Sequence, residues 1–412
     1  MRRSNFMLYG AALIIFSLAL LMLAFPAEAL QASLKGISIW WDVLFPSLFP
    51  FFVISEMMLG VGLVHFFGTL LDPLMRPLFR IPGIGGFVMA MGFASGYPIG
   101  ARLTSQLWEK GLVNREEGER LVSFTTSSDP IFLIGAVSVG FFHNPAIAGL
   151  LAAAHYGSAM LVGLLMRFHG KPVVGNNVQK PAEGVSSGPI WRRAFEEMHA
   201  ARLADGRPLG VMLQKALGSA VQLVMLLGGL VVFFSVVMEV LSSAGIMAYV
   251  YAGVDSVLSL FGVPVVLSKA VVNGFFEVTL GTKAAGNAES IPLVYKAAIA
   301  AWVLSWAGLS VHAQIVSLLH HTNLRYLPFA FARFIHGLLA VVFVIVLWKP
   351  LDAYQEALGA FMPQPDVTRP LTTMIVHALP TAAVTFAALI GTMLMMSLLF
   401  WIGKRCMNRL RT

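Results

Sequence analysis

Two stretches place helix-breaking and polar residues inside sequence that is otherwise soluble in lipid. The first is Gly92-Phe93-Ala94-Ser95-Gly96-Tyr97-Pro98-Ile99-Gly100-Ala101-Arg102, and the second is Asn273-Gly274-Phe275-Phe276-Glu277-Val278-Thr279-Leu280-Gly281-Thr282-Lys283. Laying Gly100 on Gly281 also lays Arg102 on Lys283, an offset of 181 residues in both cases. Unwound backbone survives at membrane depth only where it is buried in protein or lines a wet cavity. The two stretches therefore predict a pair of broken, re-entrant segments that form equivalent halves of one binding site.

The surrounding sequence requires a bilayer. Of 412 residues, 58% are hydrophobic and only 12% are charged, too few polar groups to cover a soluble globule of this size. The expected fold is an all-α polytopic membrane protein. The net charge of +8 comes without a compact basic module or an aromatic-interleaved basic stripe, so nucleic acid is not an expected partner; the excess sets orientation in the membrane. Cys406 is the only cysteine, which excludes a disulfide framework and a cysteine metal cluster. No cofactor is expected.

Taken in order, Arg2 and Arg3 precede an apolar run from Phe6 to Phe25, read as an uncleaved first span although Ala27-Glu28-Ala29 has a small-x-small pattern. A second span is expected from Phe45 to Leu71, and the first re-entrant piece from Ile84 to Gly100, too short to cross a core that needs about 20 residues. Leu103 to Arg120 reads as an interfacial stretch with Arg115, Glu116, Glu117, Glu119 and Arg120 on a solvated face. Leu121 to Phe142 is a span with a polar waist, Thr125-Thr126-Ser127-Ser128-Asp129-Pro130, and Ala146 to Phe168 returns. A polar linker follows, and the plan repeats: a span from Leu217 to Leu241, an interfacial stretch from Ile246 to Phe261, the second re-entrant piece within Val263 to Lys283, and a span with a polar waist from Ile291 to Leu319. A clean span from Leu327 to Trp348 and a last one from Thr373 to Ile402 complete the chain.

The expected segments are 1–44 (first span and outer loop), 45–168 (first repeat), 169–210 (polar cytoplasmic linker), 211–348 (second repeat) and 349–412 (outer loop, last span and basic tail). With about eight full spans and two re-entrant segments, 22 of the 28 basic residues fall on the side of the two termini, which is thereby cytoplasmic. The first repeat then begins outside and the second inside. Such inverted repeats put the substrate site of many secondary transporters at the bilayer midplane, between broken helices.

Several residues could serve that site. Glu277, a carboxylate in an apolar segment, is a functional candidate by default: a coupling-proton carrier, an acceptor for substrate, or a helix cap or partner of Lys283. Asp129, beside Pro130, is a second coupling candidate and equally a helix cap. Ser95, Gly96 and Pro98 form the first turn, whose free amides suit an anion, with Thr279 and Gly281 in the matching part. Thr125, Ser127 and Ser128 supply hydroxyls at the first waist, and Asn273, Ser310 and Gln314 are neutral donors and acceptors at the second. Arg102 and Lys283 are either vestibule charges or snorkelling interface charges. His312 is a relay or a structural histidine, and His320-His321 reads as an interface pair without a carboxylate partner. No nucleophile and base stand in an enzyme-like arrangement.

The residues Phe93-Ala94-Ser95-Gly96-Tyr97-Pro98-Ile99-Gly100-Ala101, Glu119-Arg120-Leu121-Val122-Ser123-Phe124-Thr125 with Pro130 and Ile134-Gly135-Ala136-Val137, and Gly274-Phe275-Phe276-Glu277-Val278-Thr279-Leu280-Gly281 resemble the YlbJ/SpoVV family of sporulation integral membrane proteins. The resemblance covers roughly Trp41 to Trp348. That family carries the nucleoside-recognition, or Gate, domain and is similar in plan to the concentrative nucleoside transporters. The resemblance implies alternating-access transport of a small organic anion, dipicolinic acid, across the outer forespore membrane of a bacterial cell. Transport of a nucleoside or another small carboxylate, and a non-transporting membrane scaffold for sporulation, stay open. The expected partners are the anionic substrate, membrane lipid and a coupling proton or sodium ion, with homo-oligomerisation open.

Overall fold

The computed structural model describes residues 2–170 and 189–361. Lys171 and Lys180 of the linker, the expected last span from Thr373 to Ile402, Cys406 and the basic tail lie outside the described residues. Helices and the turns between them make up what is described, and strands are absent among these residues.

The chain opens with α1 (Arg2–Ala24), which meets α2 (Pro26–Ser38) at a bend of 103°. Proline at the start of α2 costs no hydrogen bond, because the first amides of a helix lack partners anyway. A π-helical turn, Ile39–Leu44, carries α2 without a break into α3 (Phe45–Gly60). The result is one rod from Pro26 to Gly60, roughly 50 Å long at 1.5 Å per residue. It lies antiparallel along α10 (Leu209–Ser243): Ala29 and Ala32 pack on Val236 and Val240, Trp40 Nε1 donates to the Val224 carbonyl at 3.0 Å, and Gly60 sits at Met212. Gly36 permits the close approach, since a Cβ there would stand 2.9 Å from the Val232 backbone. The expected span from Phe45 to Leu71 is thus corrected. The helix starts near Pro26, and Gly62, with φ +84°, turns the chain by 82° into α4 (Leu63–Phe79).

Next come α5 (Ile84–Ser95) and α6 (Tyr97–Glu109), broken at Gly96, then α7 (Arg115–Thr125). An Asn114–Glu117 capping box starts α7, with both reciprocal bonds at 2.9 Å. Beyond it Thr126 to Asp129 leave the helix, and a π-helical stretch, Ile131–Phe141, leads on to α8 (Ala148–Met166). After α9 (Ile190–Asp205) and α10, the second half supplies α11 (Ile246–Leu260), α12 (Ser268–Phe276), α13 (Val278–Gly286), α14 (Leu293–Trp306), α15 (Gly308–Leu319) and α16 (Tyr326–Phe361). Helices α12 and α13 break at Glu277, and α14 and α15 at Ala307, which has φ +74°. Four stretches of the described chain are long and apolar enough to cross a bilayer: Pro145–Met166, Leu209–Ser243, Leu293–Leu319 and Tyr326–Lys349. The number rises to six if each bent pair counts as one span.

Two ends of the molecule are defined by side-chain contacts. At one end Arg120 donates to the carbonyls of Arg80 and His169, Glu119 accepts from Arg325 and bonds His169, and His321 bonds Glu109. At the other, Gly286 lies on the Phe141 carbonyl, and His143, Ser290 and Lys296 line an open recess. Glu119 and Arg120 are buried, so the solvated face expected for Arg115 to Arg120 is only partly solvated. His321 likewise has a carboxylate partner that its local sequence did not reveal.

Candidate functional site

The four helix breaks meet inside the molecule. Gly96, with φ +92° and ψ −179°, occupies a region that only glycine enters freely, and the start of α6 reaches the carboxylate of Asp129 there: a Cβ on Gly96 would lie 3.1 Å from Oδ2. Gly100 rests on the end of α7, where a Cβ would come within 2.6 Å of the Thr125 carbonyl oxygen. In the second half, Gly308 abuts the Glu277 backbone. Tyr97 spans the two halves, its hydroxyl donating to the Leu304 carbonyl at 2.8 Å.

Ser95, Gly96, Pro98, Thr125, Ser127 and Ser128 are all buried at the first pair of breaks. Their roles differ. Thr125 Oγ1 donates back to the Leu121 carbonyl at 2.8 Å, Pro98 stands in the first turn of α6, and Ser127 Oγ bonds His155 Nε2 at 2.9 Å. Ser95 Oγ has no hydrogen-bond partner among the described residues, and Ser310 Oγ at the second waist has none either. Gln314 is buried, Thr279 is half-buried, and Asn273 is half-buried with its Oδ1 accepting from Tyr251 at 3.2 Å. His312 is held on both ring nitrogens, by Tyr326 at 2.8 Å and by the Trp306 carbonyl at 3.1 Å.

The two carboxylates cap helix ends. Glu277 Oε2 accepts the Leu280 amide at 2.7 Å at the start of α13, and Asp129 Oδ1 accepts the Phe132 amide at 2.8 Å. Lys283 is exposed and forms no ion pair with Glu277, and Arg102 reaches Glu56 at 3.5 Å. One expectation needs correction. The half-helix ends do not offer bare amides to an anion, because α13 carries its own carboxylate and Asp129 stands against the start of α6.

The positive charge of the site comes from a residue that the sequence pattern hid. Arg333 lies within the apolar run from Leu327 to Trp348, expected to be clean, and belonged with the basic residues of the cytoplasmic side; its side chain is instead fully buried. Its Nε donates to the Ser305 carbonyl at 2.8 Å, and its other nitrogens reach the Ser305 carbonyl, the Thr126 carbonyl and His336 Nδ1. Both carbonyls belong to helix C-terminal turns, where the backbone dipole favours a cation. His336 Nε2 must then donate to the His155 carbonyl, 2.9 Å away, and the two rings stack at 5.0 Å. The Ser128 amide donates to His155 Nε2 at 3.0 Å, which places the His155 proton on Nδ1, facing Ser305 Oγ at 2.9 Å. A usable signal existed, since His155 and His336 are separated by the same 181 residues as Gly100 and Gly281.

The Gate family, described as nucleoside recognition, matches residues 42–168. The chain is 43% identical over 339 residues to the sporulation integral membrane protein YlbJ of Bacillus subtilis (strain 168), covering 81% of this chain and 82% of that protein. An uncharacterized protein of Alkalihalophilus pseudofirmus is 28% identical over 109 residues, 24% of each chain. No solved structure matches. A buried polar centre within apolar helices and this extent of identity agree: the chain is an integral membrane protein that belongs to the family of the sporulation integral membrane protein YlbJ.

Proposed function

We propose that this protein is a secondary transporter of a small organic anion, dipicolinic acid, moved by alternating access across the outer forespore membrane during sporulation. The observation that carries the reading is the pair of broken hairpins, α5–α6 and α12–α13, whose tips meet at a buried polar centre from opposite ends. Helix α6 leaves its break toward the end marked by Glu109 and His321, and α13 leaves its break toward the end marked by Phe141 and His143. Opposed half-helices of this kind are how inverted-repeat transporters build a midplane site.

The 181-residue offset supports two inverted repeats. It relates Gly96 to Glu277 at the hairpin tips, Thr126 to Ala307 at the ends of α7 and α14, and His155 to His336 on α8 and α16. The offset also lays the Pro26–Gly60 rod on α10, so the first repeat reaches back to Pro26. Basic residues at the Arg80, Arg120 and Arg325 end make it the cytoplasmic one under the positive-inside rule, with both termini there; moving Arg333 into the core takes one residue from that majority without reversing it. In this scheme Glu277 or Asp129 carries the coupling proton or a sodium ion. Ser95, Ser127, Ser128, Thr279, Ser310 and Gln314 line the path of the substrate once the closed centre opens.

The Gate match favours a nucleoside as the second reading. Uptake of labelled dipicolinate, nucleosides and small carboxylates into proteoliposomes, with and without a proton gradient, separates the readings. Dipicolinate uptake that collapses with the gradient is expected. Uptake of nucleosides alone would select the second reading, and absence of flux for every solute together with a co-purifying partner would select the scaffold.

A further inference from the structure

Arg333 is wholly buried, and its four hydrogen bonds among the described residues all go to neutral acceptors, none of them a carboxylate. Removing a guanidinium from water costs several kcal/mol, which carbonyls at two helix ends offset only in part. The two carboxylates nearby are engaged elsewhere, Glu277 on the Leu280 amide and Asp129 on the Phe132 amide. Ser95 Oγ and Ser310 Oγ, both buried close to the same breaks, lack any hydrogen-bond partner among the described residues. A buried polar atom without a partner is costly, so a ligand group that bonds it gains the whole of that bond. Tyr97 joins these features, being two residues from Ser95 and bonded to Leu304, next to the Ser305 carbonyl that Arg333 holds.

We propose that Arg333 is the specificity-determining cation of the transport site, exchanging the carbonyls of Thr126 and Ser305 for a substrate carboxylate when the centre opens. A guanidinium fork matches a carboxylate in a planar, bidentate way that carbonyls do not. Ser95 and Ser310 supply hydrogen bonds to the rest of the ligand. The exchange also links binding to movement. In the closed state Arg333 ties the ends of α7 and α14 together, and a carboxylate that takes its donors releases both.

This inference rests on the anion reading above, and the test separates the two. Equilibrium binding of dipicolinate, its monoamide and its diamide is measured on purified wild-type protein and on Arg333→Gln and Arg333→Lys variants, with dipicolinate uptake by wild type as the reference. Wild type is expected to prefer the diacid over the diamide by about tenfold or more, the scale of a charge-assisted bond. Arg333→Gln brings the ligands to within about twofold of each other, and Arg333→Lys keeps the order at weaker affinity. A folded Arg333→Gln protein that retains the preference overturns the proposal, as does a folded Arg333→Lys protein that loses it; Arg333→Lys decides alone if the glutamine variant does not fold. Uptake of dipicolinate by a wild type without charge preference overturns the role of Arg333 alone, whereas no dipicolinate uptake overturns the function with it.

Discussion

Glu277 caps α13 and is proposed above as a proton carrier, and a single substitution separates the two. As a cap it needs only an acceptor oxygen for the Leu280 amide, which glutamine also supplies. As a proton carrier it needs an ionisable group. Glu277→Gln is therefore expected to leave a folded, membrane-inserted protein with no uptake; wild-type transport by the variant would remove Glu277 from the mechanism. Gly96 is constrained differently. At φ +92° and ψ −179° an L side chain is strained, and its Cβ would also press on Asp129. Gly96→Ala should lower stability by roughly 1–3 kcal/mol, read as an earlier thermal transition in detergent; an unchanged transition would show that the turn has another conformation.

Between elements, the connection from α15 to α16 is tied down by Glu119 in the middle of α7. Glu119 accepts from the Arg325 amide at 2.9 Å and from its guanidinium at 2.8 Å, and bonds His169 at 2.6 Å. Burial pushes the Glu119 carboxyl up, but the bonds from Arg325 and His169 outweigh it and hold the group down to about 2, against an ordinary 4.5. Because the folded value is the lower one, protonation favours the unfolded chain. The stabilisation is complete above about pH 5 and is lost as pH falls toward about 2. Glu119→Gln should destabilise the protein at neutral pH and flatten the decline of melting temperature across that window. An equally steep acid decline in the variant would assign it to other carboxylates.

At the scale of the molecule, the proposed inverted arrangement of the two hairpins predicts a definite sidedness. Lys110 is exposed beyond α6 and Glu289 is exposed beyond α13. In a background where Cys406→Ser removes the only native thiol, cysteines introduced at Lys110 and Glu289 should be labelled by an impermeant reagent from opposite faces of the membrane. Labelling of both from one face would dismiss the inverted arrangement. The offset of 181 residues makes the same claim from inside the core, since it pairs His155 with the histidine on which it stacks.

Much of this was legible before folding. Apolar runs long enough for a bilayer, prolines and glycines at Gly96 and Pro130, and a carboxylate at Glu277 follow from what lipid tolerates, so sequence alone determined a polytopic helical protein and the position of its breaks. It did not determine which polar groups are already spent. Arg333 looked like one more basic residue near a helix end, and the amides before α13 looked free, because both readings depend on partners up to 207 residues away, or on which way a side chain turns at a break. Where span ends fall was equally a matter of packing. The rod from Pro26 to Gly60 is one helix because α10 runs beside all of it, a contact between residues such as Trp40 and Val224 that are 184 positions apart. Periodicity and hydropathy are local quantities, whereas the charge of this site is set by hydrogen bonds that only the tertiary structure brings together.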